Sequence, residues 1–108
     1  MNDLTNKKCV PCQGGVPSLT EVKINNYLRK VKEWSVIDNH HLEKSFTFID
    51  FKSSLSFVNK VGELAEQENH HPDICFTWGK VVITIWTHKI NGIHENDFIL
   101  ASKIDKIK

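Results

Sequence analysis

The chain has 108 residues, 40% of them hydrophobic and 25% charged, with a formal net charge of +1; this suits one domain of the common ~100–150-residue size, which buries roughly 60–70% of its unfolded surface without covalent staples. So small a basic excess argues against nucleic acid as a partner held by electrostatics, and no apolar run approaches the ~20 residues of a membrane helix, so no membrane partner is expected. The N-terminal stretch Met1-Asn2-Asp3-Leu4-Thr5-Asn6-Lys7-Lys8 lacks the apolar centre of a secretory signal, which makes a cytoplasmic location the expectation.

Residues 1–17, rich in Lys, Gly, Pro and Cys and without periodicity, read as a flexible N-terminal arm, leaving residues 18–108 as a single domain. Cys9 and Cys12 form a lone C-x-x-C in that arm. A zinc site calls for a second such pair and a thioredoxin-type redox motif for a preceding strand, so the pair reads as part of the arm. Three cysteines make no disulfide framework, and Cys75 is expected as a small buried residue of a strand.

Ser18-Leu19-Thr20-Glu21 offers a capping box, with Thr20 as an alternative N-cap, for a helix to about Glu33 that carries Val22, Ile24, Leu28 and Val31 near one face. Trp34-Ser35-Val36-Ile37, a turn at Asp38-Asn39, and Leu42 through Phe48 read as a hairpin, because Leu42, Phe46 and Phe48 alternate with Glu43, Ser45 and Thr47. His40-His41 at that turn reads as a solvated pair. Asp50 can cap a long amphipathic helix through Phe51, Leu55, Val58, Val61, Leu64 and Ala65. Two strands follow, Ile74 to Trp78 and, after Gly79, Lys80 to His88; Val81, Ile83 and Ile85 point to one face, and Val82, Thr84, Trp86 and His88 to the other. The last helix has His94 at its N-cap, Ile93 and Phe98 at the positions of a hydrophobic staple, and Asp97 as its third residue, where a carboxylate suits the helix dipole. Phe98, Ala101 and Ile104 supply its buried stripe. The expected fold is α+β, in the order α-β-β-α-β-β-α: a four-stranded antiparallel sheet with three helices packed on one face.

The stretch Glu66-Gln67-Glu68-Asn69-His70-His71-Pro72 carries the chemistry. Histidine is the side chain whose ordinary pKa lies near neutrality, so it both takes and gives protons there. Pro72 biases His71 toward extended geometry, which ends the helix and presents two imidazoles just before a strand. The competing reading of the same residues is a polar helix terminus with two solvated histidines.

Glu66-x-x-x-His70-His71-Pro72, followed by Trp78, Thr87-His88, Gly92-Ile93, Asp97-Phe98, Leu100-Ala101 and Ile104-Asp105, resembles the signature of the pterin-4a-carbinolamine dehydratases, from about Leu19 to the C-terminus. The arm is similar to the start of bacterial members. The resemblance implies a metal-free hydro-lyase, with no cofactor, that dehydrates a 4a-hydroxytetrahydropterin to the quinonoid dihydropterin. That activity serves recycling of the tetrahydropterin (tetrahydrobiopterin or a relative) used by aromatic amino-acid hydroxylases. By position it implies His70, His71 and His88 as the catalytic histidines, supported by Glu66, Asn69, Pro72, Thr87 and Asp97. An acid must protonate the departing hydroxyl and a base must take a ring N–H proton; His70 and His71 are assigned as donors and His88 as base. Asn69 stands where animal members carry an aspartate, and His94 replaces the usual Thr or Ser cap, which implies a less firmly capped last helix.

A different class of reading is a dimerisation or transcription-cofactor module on the same scaffold, since animal members also have that role. The open edges of a small sheet favour pairing between subunits, so a homodimer or homotetramer is expected. A metal protein using His70, His71 and His88 is disfavoured, because adjacent histidines in extended backbone point apart.

Overall fold

In a computed structural model, which describes residues 4–7 and 17–107, the chain forms helix α1 (Glu21–Leu28), strands β1 (Ser35–Ile37) and β2 (His41–Thr47), helix α2 (Phe51–Glu68), strands β3 (Asp73–Phe76) and β4 (Lys80–Ile85), and helix α3 (Glu95–Ile107). The sheet is antiparallel with strand order β1-β2-β4-β3, so β2 and β4 are central and β1 and β3 are edges. The element order is the one expected. Cys9 and Cys12 lie outside the described residues.

Alternation along β4 sets the layers. Val81, Ile83 and Ile85 are fully buried together with Leu42 of β2, and they meet the apolar faces of the helices. The opposite face of the sheet carries Glu43, Ser45, Val82 and Thr84 and is more open to solvent. Cys75 lies on that face, paired with Val82, and is exposed rather than buried. Its neighbours Ile74 and Phe76 are the inward residues of β3, and period two leaves Cys75 outside.

The β1–β2 connection, residues 38–40, holds a β-turn whose central residues Asp38 and Asn39 both have left-handed backbone (φ 54° and 52°) and in which the His40 N–H donates to the Ile37 carbonyl at 2.9 Å. This is the hairpin geometry that matches strand twist, and Asp and Asn are among the residues that tolerate it.

α1 ends at Leu28, short of Glu33, and Thr20 rather than Ser18 caps it, its side chain accepting from Lys23 N–H. Tertiary contacts override the helical periodicity here. Val31 and Trp34 turn into the core, and Asp105 of α3 accepts from the Lys32 N–H (3.0 Å), the Trp34 indole N–H (3.0 Å) and the Lys44 ammonium (2.8 Å). Val22 lies some 200° round the helix from buried Ile24 and is exposed. Ser18 packs instead on Gly92, where any Cβ would collide with its side chain.

Asp50 caps α2 as expected, accepting from Ser53 N–H at 2.8 Å. The buried stripe of α2 runs through Ser54, Phe57, Val61, Ala65 and Glu68, with Phe51 and Leu55 left outside. Within the N-terminal segment, Leu4–Asn6 form a 3-10 turn whose Leu4 is 1% exposed and belongs to the main core. Lys7 pairs with Glu95 at 2.7 Å, and the Tyr27 hydroxyl donates to the same carboxylate. The Lys7 hydrogen bond holds the Glu95 carboxyl below its ordinary range, while burial, then the Glu95 charge, push the Tyr27 phenol up.

Candidate active site

Three segments converge at the end of the sheet where β3 begins and β4 stops. The first is the C-terminus of α2. Asn69 takes left-handed backbone (φ 54°), and the N–H groups of Asn69 and His70 both point back to the Ala65 carbonyl. A helix stopped this way turns sharply, which sends His70 and His71 to different sides of the exit.

His70 turns inward. Its Nε2 lies 2.6 Å from Oδ1 of Asp97, a fully buried carboxylate at the start of α3. The other oxygen of Asp97 accepts from the Thr87 hydroxyl at 2.9 Å and from the His94 N–H at 2.8 Å. Asp97 N–H in turn donates to the His94 carbonyl at 3.0 Å. The N3 carboxylate therefore reaches back over the helix start, as in a capping box, and aligns the catalytic candidate with its free oxygen. The donor that a Thr or Ser cap would satisfy, the Asp97 N–H, is met by the His94 carbonyl, and the Asp97 carboxylate supplies the other half of the box by accepting from the His94 N–H. Nδ1 of His94 is buried without a partner among the described residues.

His71 turns outward to Glu66, one helical turn earlier on α2, with Nε2 to Oε2 at 2.5 Å. Both side chains are more than half exposed, so that contact orients the ring in water rather than burying it. In each pair the carboxylate engages Nε2 and leaves Nδ1 as the nitrogen not held by it, which is how a carboxylate fixes the tautomer of a working histidine.

The third segment follows β4. The strand ends at Ile85, not at His88; Thr87 bridges back to Gly92, and His88–Ile90 form a 3-10 turn between them. His88 is exposed, and its ring stacks on the Trp86 indole with centroids 3.8 Å apart and planes 20° from parallel. Among the described residues no carboxylate engages it.

Residues 69–73 on one side, and 86–89 with Asn96 on the other, line a cleft of about 480 Å³. Of the residues singled out from sequence, His70, His71, His88, Asn69, Pro72 and Thr87 face it; Asp97 stands behind His70, and Glu66 flanks His71 from outside. Trp78 lies at the far end of the sheet, 65% exposed, its carbonyl accepting from Ser54. Two other clefts, of about 490 and 500 Å³, run beside Arg29–Lys32 and along α2 at Lys52–Lys60, and neither holds a histidine. Among the described residues no three of His, Cys, Asp and Glu converge as ligands for a metal ion.

Trp86, Asp73, Lys89 and Asn96 were not anticipated at the cleft. For Trp86 a signal existed: it shares an alternation phase with His88, two residues on. His40 is not merely solvated either. It is half-buried, its ring lies 4.4 Å from that of Trp86, and its Nε2 lies 2.9 Å from Oδ1 of Asn91.

Comparison with known proteins identifies the family. The family profile described as pterin 4 alpha carbinolamine dehydratase matches residues 17–107. A Rubrobacter xylanophilus protein with the provisional name pterin-4-alpha-carbinolamine dehydratase is 52% identical over 99% of this chain and all of its own. An Alkaliphilus metalliredigens protein of the same provisional name is 51% identical over 98% of this chain and 96% of its own. Among solved structures, the transcriptional coactivator/pterin dehydratase from Brucella melitensis superposes with a TM-score of 0.79 at 33% identity, covering 83% of this chain and 97% of that one. A pterin dehydratase-like protein identified as a RuBisCO assembly factor in the alpha-carboxysome shares the fold, with a TM-score of 0.61 at 23% identity over 70% of this chain and 89% of its own. The chain belongs to the pterin 4 alpha carbinolamine dehydratase family.

Proposed function

We propose that the chain is a hydro-lyase that dehydrates a 4a-hydroxytetrahydropterin to the quinonoid dihydropterin through His70, His71 and His88. What supports this reading is the convergence of three imidazoles from two chain segments on one cleft, with a fully buried carboxylate, Asp97, holding one of them. The reaction needs one proton delivered to the 4a-hydroxyl, cleavage of the C–O bond with its electron pair leaving on water, and removal of one ring N–H proton. The net change is loss of one water. His70 and His71 are the donors in this scheme, because Asp97 and Glu66 compensate the charge of a ring that carries both protons. His88, with Trp86 and, among the described residues, no carboxylate against it, takes the ring proton. The flat indole of Trp86 offers a stacking surface for a bicyclic ring.

On this reading the protein works in tetrahydropterin recycling beside an aromatic amino-acid hydroxylase, in the cytoplasm, as a homodimer or homotetramer joined through its sheet edges. The name of the Brucella neighbour also favours a second reading, a binding module that has kept the scaffold. Dehydration of chemically generated 4a-hydroxytetrahydropterin by the purified protein, without added metal, separates the two. The enzyme reading requires a rate well above the uncatalysed one, and the module reading requires none.

A further inference from the structure

His70 and His71 are each held by a carboxylate, whereas His88 sits on an exposed 3-10 turn and, among the described residues, is held only by stacking on Trp86. The turn itself is short of anchors. Its base is closed by the Thr87–Gly92 bridge, and its end by Asn91 in left-handed backbone (φ 51°), whose N–H donates to the His88 carbonyl at 3.2 Å. Both Trp86, before His88, and Asn91, after it, touch one further residue: His40 on the β1–β2 turn.

We propose that His40 is a positioning residue for His88, gripping the His88 turn from both sides through the Trp86 indole and the Asn91 side chain. This inference rests on the reading of His88 as a catalytic group. The His40 ring lies 4.4 Å from the Trp86 ring, inclined at 44°, and so contacts the same indole on which His88 stacks. The Asn91 oxygen can only accept, so His40 Nε2 donates to it; in the neutral ring Nδ1 then accepts, and the donor it meets is Nδ1 of His41, 3.1 Å away. His41 belongs to β2 and pairs with Ile37 in the hairpin register, so the grip is referred to the sheet. The left-handed residues Asp38 and Asn39 fold the turn that carries His40 to this place. The consequence is that an exposed imidazole on a short turn is aligned by groups that never touch substrate.

The test compares His40→Ala, His40→Phe and Asn91→Gly, the last chosen because glycine suits left-handed backbone. Two quantities are read on each folded variant: the NMR shifts of the His88 ring protons in the ligand-free protein, and kcat and KM separately. In the wild type those protons are expected upfield, under the indole ring current. In His40→Ala they are expected to move toward the values of an exposed histidine, with kcat down about three- to tenfold and KM changed less. His40→Phe, which keeps the ring contact, is expected to recover most of both. Asn91→Gly is expected to move both in the direction of His40→Ala, and by less; it tests the same grip should His40→Ala not fold. Unchanged His88 shifts in His40→Ala and Asn91→Gly would overturn the proposal, as would a fall in kcat with the His88 shifts unmoved. The ring shifts are read without turnover, so an inactive wild type would count against the dehydratase reading while leaving the His40 grip to be judged on the shifts.

Discussion

Replacing Asp97 by Asn changes one atom and one charge at the most buried polar group of the site. The carboxylate accepts three hydrogen bonds, from His70 Nε2 at 2.6 Å, Thr87 Oγ1 at 2.9 Å and His94 N–H at 2.8 Å. An asparagine can keep its oxygen toward Thr87 and His94 and must then point its amide N–H₂ at His70. His70 Nε2 has to become an acceptor, which moves the ring proton to Nδ1. The stability lost is that of one charge-assisted hydrogen bond, about 1.5–3 kcal/mol. At a urea m-value of about 1–3 kcal/mol/M, that lowers the midpoint by roughly 1 M. The chemical effect is larger than a misplaced bond alone, because the donor form of His70, which carries both ring protons, loses its acceptor at Nε2 and its compensating charge. A fall in kcat/KM of about 10²-fold or more is expected, the contribution typical of one positioned acid–base group. The dehydration assay measures the rate, urea unfolding the stability, and ¹⁵N NMR of the imidazole the tautomer. An Asp97→Asn protein that stayed folded, kept His70 protonated on Nε2 and turned over at the wild-type rate would refute the assignment of Asp97 as the group that sets His70.

Leu4→Ala should lower stability by about 2–4 kcal/mol in urea unfolding, since the side chain is 1% exposed in the core, while kcat/KM of the folded protein stays within a few-fold of wild type. Glu95 has its pKa lowered from the ordinary 4.5, chiefly by the Lys7 hydrogen bond, so its stabilising contribution is complete above the ordinary carboxylate range and is lost as pH falls through the depressed value. Unfolding curves between pH 5 and 3 should therefore show wild type losing more stability than Glu95→Gln, by about 0.2–1 kcal/mol given the half-exposed Lys7. Elemental analysis should find no stoichiometric zinc, iron or copper; about one metal per chain, lost in His88→Ala, would revive a metal role. Light scattering at micromolar concentration should report a dimer or tetramer, and monomer alone would exclude the sheet-edge assembly.

Where the local code and the tertiary contacts agree, the fold is legible in the residues. The β4 alternation puts Val81, Ile83 and Ile85 inside, and Asp50 and the Asp38-Asn39 turn do what their side chains favour. Asp97 was legible in one of its two roles, as an N3 carboxylate; that its second oxygen reaches His70 depends on how α3 packs against the end of α2, which no local pattern encodes. α1 failed its periodic extension because Asp105, more than seventy residues on, claims the backbone at Lys32. Cys75 was misplaced through composition, where the phase of β3 was the better guide. His40 was missed for the same reason as Asp105: its meeting with Trp86 is set by the register between β2 and β4, not by any spacing within one segment.

The claim at the centre of this account is that the α2 terminus and the β4 terminus act together on one substrate. The measurement that tests it most directly is kcat/KM for dehydration, above the uncatalysed background, in His71→Ala, His88→Ala and the double variant. Each single change should lower kcat/KM at least about tenfold in a folded protein. The double variant should fall short of the product of the two, as expected of groups that serve one transition state. Full activity in both single variants would contradict the account, and the binding-module reading would take its place.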